Sequence, residues 1–296
     1  MTTFKVTDIP DLTGTTAIVT GASSGLGLQT ARALGAAGAR VVYAVRDAGK
    51  GSQAAAAAPG PTEVRELNLA DLGSVRRFAA GWDGGEVDLL INNAGVVMPA
   101  ALTRTADGFE SQFGVNHLGH FALTLLLLQH VTGRVVTVSA AAHRFGRIDF
   151  DDLNWERRPY NPAGAYAQSK LAGLLFTAEL QRRLAAAGSG VLAVAAHPGW
   201  SDTGAVTHSG GSTGLLMGIG NRLIAQKSAN GALPTLYAAT ADIPGGAYAG
   251  PGGFGGIRGA PKLAMTSRAA QDPELARRLW DASAELTNIQ PALVLA

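Results

Sequence analysis

The chain has 296 residues, of which 47% are hydrophobic and 16% charged, with a formal charge of +2. That composition can build a large core, and it excludes a disordered chain or one recruited to nucleic acid by a basic patch. The absence of cysteine excludes disulfides, thiol nucleophiles and thiolate metal sites.

Residues 1–16 show no basic stretch leading into an apolar run, so no signal peptide is expected. The longest apolar run, Phe121 to Leu128, falls short of the about 20 residues that cross a bilayer. A cytoplasmic protein with neither membrane nor nucleic acid as partner is expected.

Thr16 to Val19 is a β-branched run that stops at Gly21, Gly25 to Ala37 reads as a helix closed by Gly38, and Arg40 to Val45 is the next strand. The Ala-rich segment Gln53 to Ala58 ends a helix at Pro59. Thr62 to Leu67 is a third strand, and Asp71 is expected to cap the helix behind it. Val87 to Ile91 is a fourth strand, ended by Asn92-Asn93-Ala94-Gly95, and a long helix is expected over about Gly108 to Val131. Arg134 to Ser139 is a fifth strand. A loop rich in Arg, Asp and Pro precedes the helix that carries Tyr166 and stops near Gly188. Val191 to Ala196 is a sixth strand, ended by His197-Pro198-Gly199. Residues 200–228 turn to Gly, Ser and Thr with Leu215, Leu216 and Met217, and read as a substrate lid. A last strand is expected at Ala247 to Ala249, and a closing helix at Pro273 to Leu286 with Trp280 on its buried face.

Strands that are apolar on both faces and alternate with helices define an α/β fold: a doubly wound parallel sheet of about seven strands with helices on both faces. No linker or composition break divides residues 1–296, so one domain is expected.

Two stretches carry chemistry. Thr20 to Gly27 (TGASSGLG) joins the first strand to the first helix. Its glycines let the backbone turn sharply and approach a pyrophosphate, and the helix N-terminus adds N–H groups and a positive dipole end. The glycines stand at 21, 25 and 27, not in GxGxxG order, so the position between strand and helix carries this reading. An acid about 20 residues further on would select a ribose 2′-hydroxyl. Here Arg46 follows the second strand, and an arginine can fork onto a 2′-phosphate. NADP(H) is therefore expected over NAD(H); the alternative has Arg46 solvated and Asp47 on the ribose.

The second stretch, Ala165 to Ala172, sets Tyr166 and Lys170 four apart, on one helix face. An ammonium beside a phenol favours the phenolate and lowers a pKa that starts near ~10. Such a phenol can exchange a proton with a substrate oxygen.

With NNAG at 92–95, GVNHLGH at 114–120 and HPGWSDT at 197–203, these motifs make the chain resemble the short-chain dehydrogenase/reductase family, in its single-domain, Rossmann-like branch. It is most similar to retinol-dehydrogenase-like oxidoreductases. The resemblance runs from about Gly14 to Thr203 and implies interconversion of a carbonyl and an alcohol. It implies that Gly21, Ser23, Ser24, Gly25, Leu26 and Gly27 hold the pyrophosphate and nearby ribose, and that Asn68 and Leu69 lie beside the adenine. Asn93, Ala94 and Gly95 would wall the cofactor. Pro198 and Gly199 would line the nicotinamide, with Thr203 near its carboxamide. Tyr166 would be the acid in reduction and the base in oxidation, Lys170 would bind the ribose and depress the Tyr166 pKa, and Asn116 would hold a water next to Lys170. Family members are often homodimers or homotetramers through two long helices, and Phe121 to Val131 is apolar enough for that. The lid's Leu and Met content suggests a fairly apolar substrate.

One position departs from the family. Its fifth strand usually ends Val-Ser-Ser, and the second serine helps bind the substrate oxygen; here the run is Val138-Ser139-Ala140. Losing such a donor typically costs about 10²–10³ in kcat. Ser139 after a local shift could substitute, the enzyme could be slow or specialised, or the chain could be a cofactor-binding pseudoenzyme or sensor. A lyase or epimerase built on the same pair is disfavoured by the glycine spacing. His117, His120 and His130 have no carboxylates at matching positions, so they read as packing or surface residues and no metal is expected. His143 reads as a loop histidine. Ser139 with Asp149 or Asp151 lacks the G-x-S-x-G elbow of a hydrolase. Met98, Trp155, Trp200 and Met217 fall beyond strand ends, where ligands bind in such sheets, and are candidates for an apolar substrate pocket.

Overall fold

The aliphatic runs assemble into one sheet in a computed structural model that describes residues 3–199 and 228–289. In chain order the elements are β1 (Thr16–Thr20), α1 (Gly25–Ala36), β2 (Arg40–Val45), α2 (Ala48–Ala56), β3 (Thr62–Glu66), α3 (Leu72–Ala80) and β4 (Val87–Asn92). Then come α4 (Ser111–Phe113), a π-helical turn (Gly114–Leu118), α5 (Gly119–Leu127), β5 (Val131–Val138), α6 (Pro162–Ala186) and β6 (Leu192–Ala196). The last described elements are α7 (Ser228–Thr240), β7 (Tyr248–Pro251), β8 (Pro261–Leu263) and α8 (Pro273–Thr287). The order across the sheet is β3-β2-β1-β4-β5-β6-β7-β8, with all neighbours parallel except β7 and β8.

Side-chain alternation explains why both faces are covered. Ala17 and Val19 of β1 pack on one face with Leu34 of α1 and Leu236 of α7. Ile18 between them packs on the other with Leu123 of α5, Leu175 of α6 and Leu279 of α8. The strands that pivot the connection order, β1 and β4, lie side by side, and the crevice beyond their carboxyl ends is where such sheets bind ligands.

The expected α/β architecture is present, with eight strands in place of about seven. The extra strand, β8, is three residues long, begins with proline and pairs antiparallel through Gly250 and Lys262, so it carries no β-branched run to announce it. The long helix expected over about Gly108 to Val131 covers less. Gly108 sits in a turn at φ 86°, and Val131 already pairs with Val87. The β4–β5 register shifts there, and Gly133 passes so close to the Asp88 carbonyl that no Cβ would fit. Helix α7 has no counterpart among the expected elements, because Pro234 lies inside it and interrupts the helical pattern. Phe121, which opens the apolar run, packs edge-on against Phe176 and Trp280, at 5.5 and 5.2 Å between ring centroids, while Leu125 and Leu126 are half-buried.

Asp71 occupies the N-cap position of α3, yet its carboxylate makes no cap bond and instead lies 3.4 Å from Arg77. The amide of Leu72 donates to Asp107 Oδ2 at 2.9 Å, so the cap comes from 35 residues away. Asp107→Ala should therefore lower stability by about 1 kcal/mol, and Asp71→Ala by well under that. Urea midpoints of the two variants check the order.

Candidate active site

Beyond the carboxyl ends of the strands lies a cavity of about 1250 Å³. Gly21, Ser23, Ser24, Gly25, Leu26, Gly27, Arg46, Asn68, Leu69, Asn93, Ala94, Gly95, Tyr166, Lys170, Pro198 and Gly199 all line it. Asn116 stands behind its wall, and Thr203, with the expected lid from 200 to 227 and its Trp200 and Met217, lies outside the described residues.

The cavity floor is the turn between β1 and α1. Gly21 and Gly25 have φ of 69° and 55°, the left-handed region where glycine is free of strain. A Cβ on Gly21 would stand 3.0 Å from Ala94 Cα, and one on Gly27 would strike the Asn93 amide and the Gly21 carbonyl. The chain therefore approaches itself here as only glycine allows. The first turn of α1 has neither an acidic residue nor a side-chain cap, so its amides and dipole are available to an anion at the cavity floor. These features fit the pyrophosphate of a dinucleotide. At the end of β2, Arg46 lines the cavity, whereas Asp47 turns away and caps α2, accepting the Lys50 amide at 3.0 Å. That bond holds the Asp47 carboxyl below its usual range.

Thr20 ties this floor to β4. Its hydroxyl accepts the amides of Asn93 (2.9 Å) and Ala94 (3.0 Å), and its carbonyl accepts Asn93 Nδ2 at 2.8 Å. His120, which is buried, lies 2.9 Å from the same hydroxyl through Nε2 and 3.2 Å from the Asn116 carbonyl through Nδ1. A carbonyl only accepts, so Nδ1 carries the proton and Nε2 accepts from Thr20. Burial pushes the His120 pKa down to about 4, which keeps the ring neutral.

The opposite wall is α6, which starts at Pro162 behind the Asn161 cap. Tyr166 lines the cavity, and Lys170 Nζ lies 5.6 Å from its ring centroid and donates to the Val138 carbonyl at 3.0 Å. Burial is the dominant cause at both groups: it pushes Tyr166 up to about 12 and Lys170 down to about 8. The spacing alone predicts a lowered phenol; in the structure desolvation outweighs the pull of the ammonium. Asn116 sits in the π-helical turn, and its side chain makes three bonds. Oδ1 accepts the Val96 amide at 2.7 Å, while Nδ2 donates to the Val96 carbonyl (3.0 Å) and to Ser169 Oγ (2.9 Å). Single π-turns recur at functional sites because they displace one residue from the helical register.

Ala140 lines the cavity. Ser139 beside it also lines the cavity, but it is buried and its hydroxyl proton is committed: Oγ donates to the Lys170 carbonyl at 2.8 Å, so it does not replace the missing donor. Met98 lines the cavity as expected of a pocket residue. Trp155 does not; it lies beneath the wall with the Arg158 guanidinium 3.9 Å from its ring centroid. His143 is buried, with Nδ1 donating to the Ala140 carbonyl (2.8 Å) and Nε2 accepting the Ser267 amide (3.2 Å). His117 meets Ser283 at 2.7 Å, so it serves packing between the π-helical turn and α8. Sequence reasoning missed the buried Glu110 and Gln112, which tie the loop after β4 to the start of α6. Polar residues on an otherwise apolar helix were the available signal.

The sequence profile of the short chain dehydrogenase family matches residues 15–211. The chain belongs to the short-chain dehydrogenase/reductase family, whose members bind NAD(P)(H). Within it the chain is retinol-dehydrogenase-like. It is 44% identical to retinol dehydrogenase 13 of Homo sapiens over 295 residues, covering 94% of this chain and 86% of that protein. Retinol dehydrogenase 12 of Homo sapiens is 40% identical over 294 residues, covering 94% and 88%. An uncharacterized protein from Mycobacterium Paratuberculosis, known from its crystal structure, is 49% identical, with a TM-score of 0.87 over 99% of this chain and 100% of that one.

The depressed Lys170 pKa has a consequence for stability. A lysine whose folded pKa lies near 8 instead of 10.5 opposes folding below pH 8, and that penalty fades as pH rises toward 10.5. Lys170→Met should raise stability at pH 7 by about 2 kcal/mol, after the lost bond to Val138 is set against the relieved desolvation. The gain should shrink steadily between pH 8 and 10.5, which denaturant titrations at several pH values measure.

Proposed function

We propose that this protein is an NADP(H)-dependent oxidoreductase that interconverts a carbonyl and an alcohol on a fairly apolar substrate, within one dinucleotide-binding domain spanning residues 1–296. The observation that carries the proposal is the convergence of Tyr166 and Lys170 on the cavity whose floor is the Gly21–Gly27 turn. A dinucleotide held by the Gly21–Gly27 turn would supply hydride chemistry at the carbonyl carbon. Tyr166 supplies the proton that completes the alcohol, and in oxidation its oxygen takes that proton back. Near pH 7 a phenol with a pKa of about 12 is protonated, which suits the acid role. Lys170 remains mostly charged there and holds donors toward the nicotinamide ribose. The Asn116 side chain locks Val96 to Ser169, and its Oδ1, which accepts the Val96 amide, keeps a second lone pair for a water beside Lys170.

The choice of NADP(H) rests on Arg46 lining the cavity while Asp47 is occupied at the α2 cap. The relatives' names, retinol dehydrogenases, agree with an apolar alcohol or aldehyde as substrate. Ala140 favours a second reading: Ser139 lines the cavity, but its hydroxyl donates to the Lys170 carbonyl, so the β5 end offers no serine proton to a substrate oxygen, as a dinucleotide-binding sensor would tolerate.

A panel of aldehydes and ketones followed by NADPH absorbance separates the two. Turnover supports the oxidoreductase, and tight NADPH binding with no turnover supports the sensor. Arg46→Ala should raise the KM for NADPH by about tenfold or more and leave that for NADH within about twofold, since a forked charge-assisted contact to phosphate is lost. Equal effects on both would remove the NADP(H) assignment.

A further inference from the structure

Three non-glycine residues among those described have positive φ: Met98 (43°), Trp155 (56°) and Asn288 (50°). Asn288 is the C-cap of α8, an ordinary place for that conformation. The other two have no such excuse, and one hydrogen-bonded network joins their loops. Residues other than glycine stay in this region only where their surroundings impose it, and such positions gather at functional sites.

For Met98 the imposing group is Gln112, which is 0% exposed. Gln112 Oε1 accepts the Met98 amide at 2.8 Å. Its Nε2 donates to Tyr160 Oη and to the Pro162 carbonyl, both at 3.0 Å. Glu110, equally buried, holds Gln112 in turn: its carboxylate accepts the amides of Gln112 (3.0 Å) and Phe113 (2.7 Å) and the Tyr160 hydroxyl (3.0 Å). Tyr160 packs edge-on against Trp155, at 5.8 Å between centroids. One amide side chain thus fixes the loop after β4 against the first residue of α6, the helix that carries Tyr166.

We infer that Met98, clamped by Gln112, is the residue that sets which substrates the cavity accepts, and that Gln112 is its positioning residue. The inference rests on the carbonyl–alcohol reading above. The clamp fixes the Met98 backbone, while its side chain, unbranched and polarizable, lines the cavity and conforms to apolar groups. An apolar chain or ring attached to the reacting carbon would meet this wall, and its fit there discriminates between substrates.

Met98→Gly is the decisive variant, because glycine adopts φ 43° freely and the fold and Tm should be kept. Across aldehydes graded in chain length and ring size, it should raise kcat/KM for the bulkiest relative to the shortest by about tenfold or more, with KM for NADPH within about twofold. Gln112→Met should raise aldehyde KM by about tenfold while kcat stays within about threefold. Unchanged ratios across the series in Met98→Gly, or a uniform loss accompanied by weaker NADPH binding, would overturn the inference. If the wild type turns over none of the series, the oxidoreductase reading fails instead. The same comparison is then read from the thermal shifts that the matching alcohols give the NADP⁺-saturated protein. A reordered ranking in Met98→Gly supports the Met98 wall, and an identical ranking contradicts it.

Discussion

The Thr20 hydroxyl sits where β1 ends and the dinucleotide turn begins, and it accepts two amides from the loop that ends β4. Through these bonds the floor and the back wall of the cavity become one rigid piece. The contact between Gly21 and Ala94 and the clash that bars a side chain at Gly27 follow from the same close approach. His120 extends the connection to the Asn116 carbonyl, so the π-helical turn behind the site is registered against the phosphate-binding turn. A buried hydroxyl with four polar partners is costly to leave unsatisfied, which is why the whole set stands or falls together.

Against that floor, α6 presents a phenol and an ammonium at a cost. Both are buried enough that each is driven toward its neutral form, Tyr166 upward and Lys170 downward. The Val138 carbonyl gives the ammonium one partner, and Lys170 lines the cavity. A site that holds a charge in a partly unsatisfied state trades stability for a group ready to bind. The same logic holds on the substrate side, where Met98 is kept in a disfavoured conformation by Gln112.

Much of this was legible in the sequence because the relevant signals are local. Strand runs, the glycine turn and a tyrosine four residues from a lysine each depend on spacing within one element, and the structure places them as read. What escaped notice depends on partners far along the chain. The α3 cap comes from Asp107 and not from Asp71, and β8 exists only because β7 offers it an edge. The start of β5 at Val131 is set by pairing with Val87 and by the close passage of Gly133 over Asp88. Spacing likewise puts Tyr166 beside Lys170 but is silent on burial, which decides the direction of both pKa shifts. The Gln112 clamp joins α4 to the loop after β4 and to the chain entering α6, and no window of sequence contains it.

The claim on which the functional account turns is that the Tyr166 hydroxyl supplies and recovers the proton at the substrate oxygen. Tyr166→Phe removes that hydroxyl and keeps the ring. Carbonyl reduction measured under single-turnover conditions, alongside NADPH binding by fluorescence, tests it directly. The account predicts NADPH affinity close to that of the wild type and a reduction rate lower by about 10³-fold. A variant that reduces the same substrates within about threefold of the wild-type rate would contradict it.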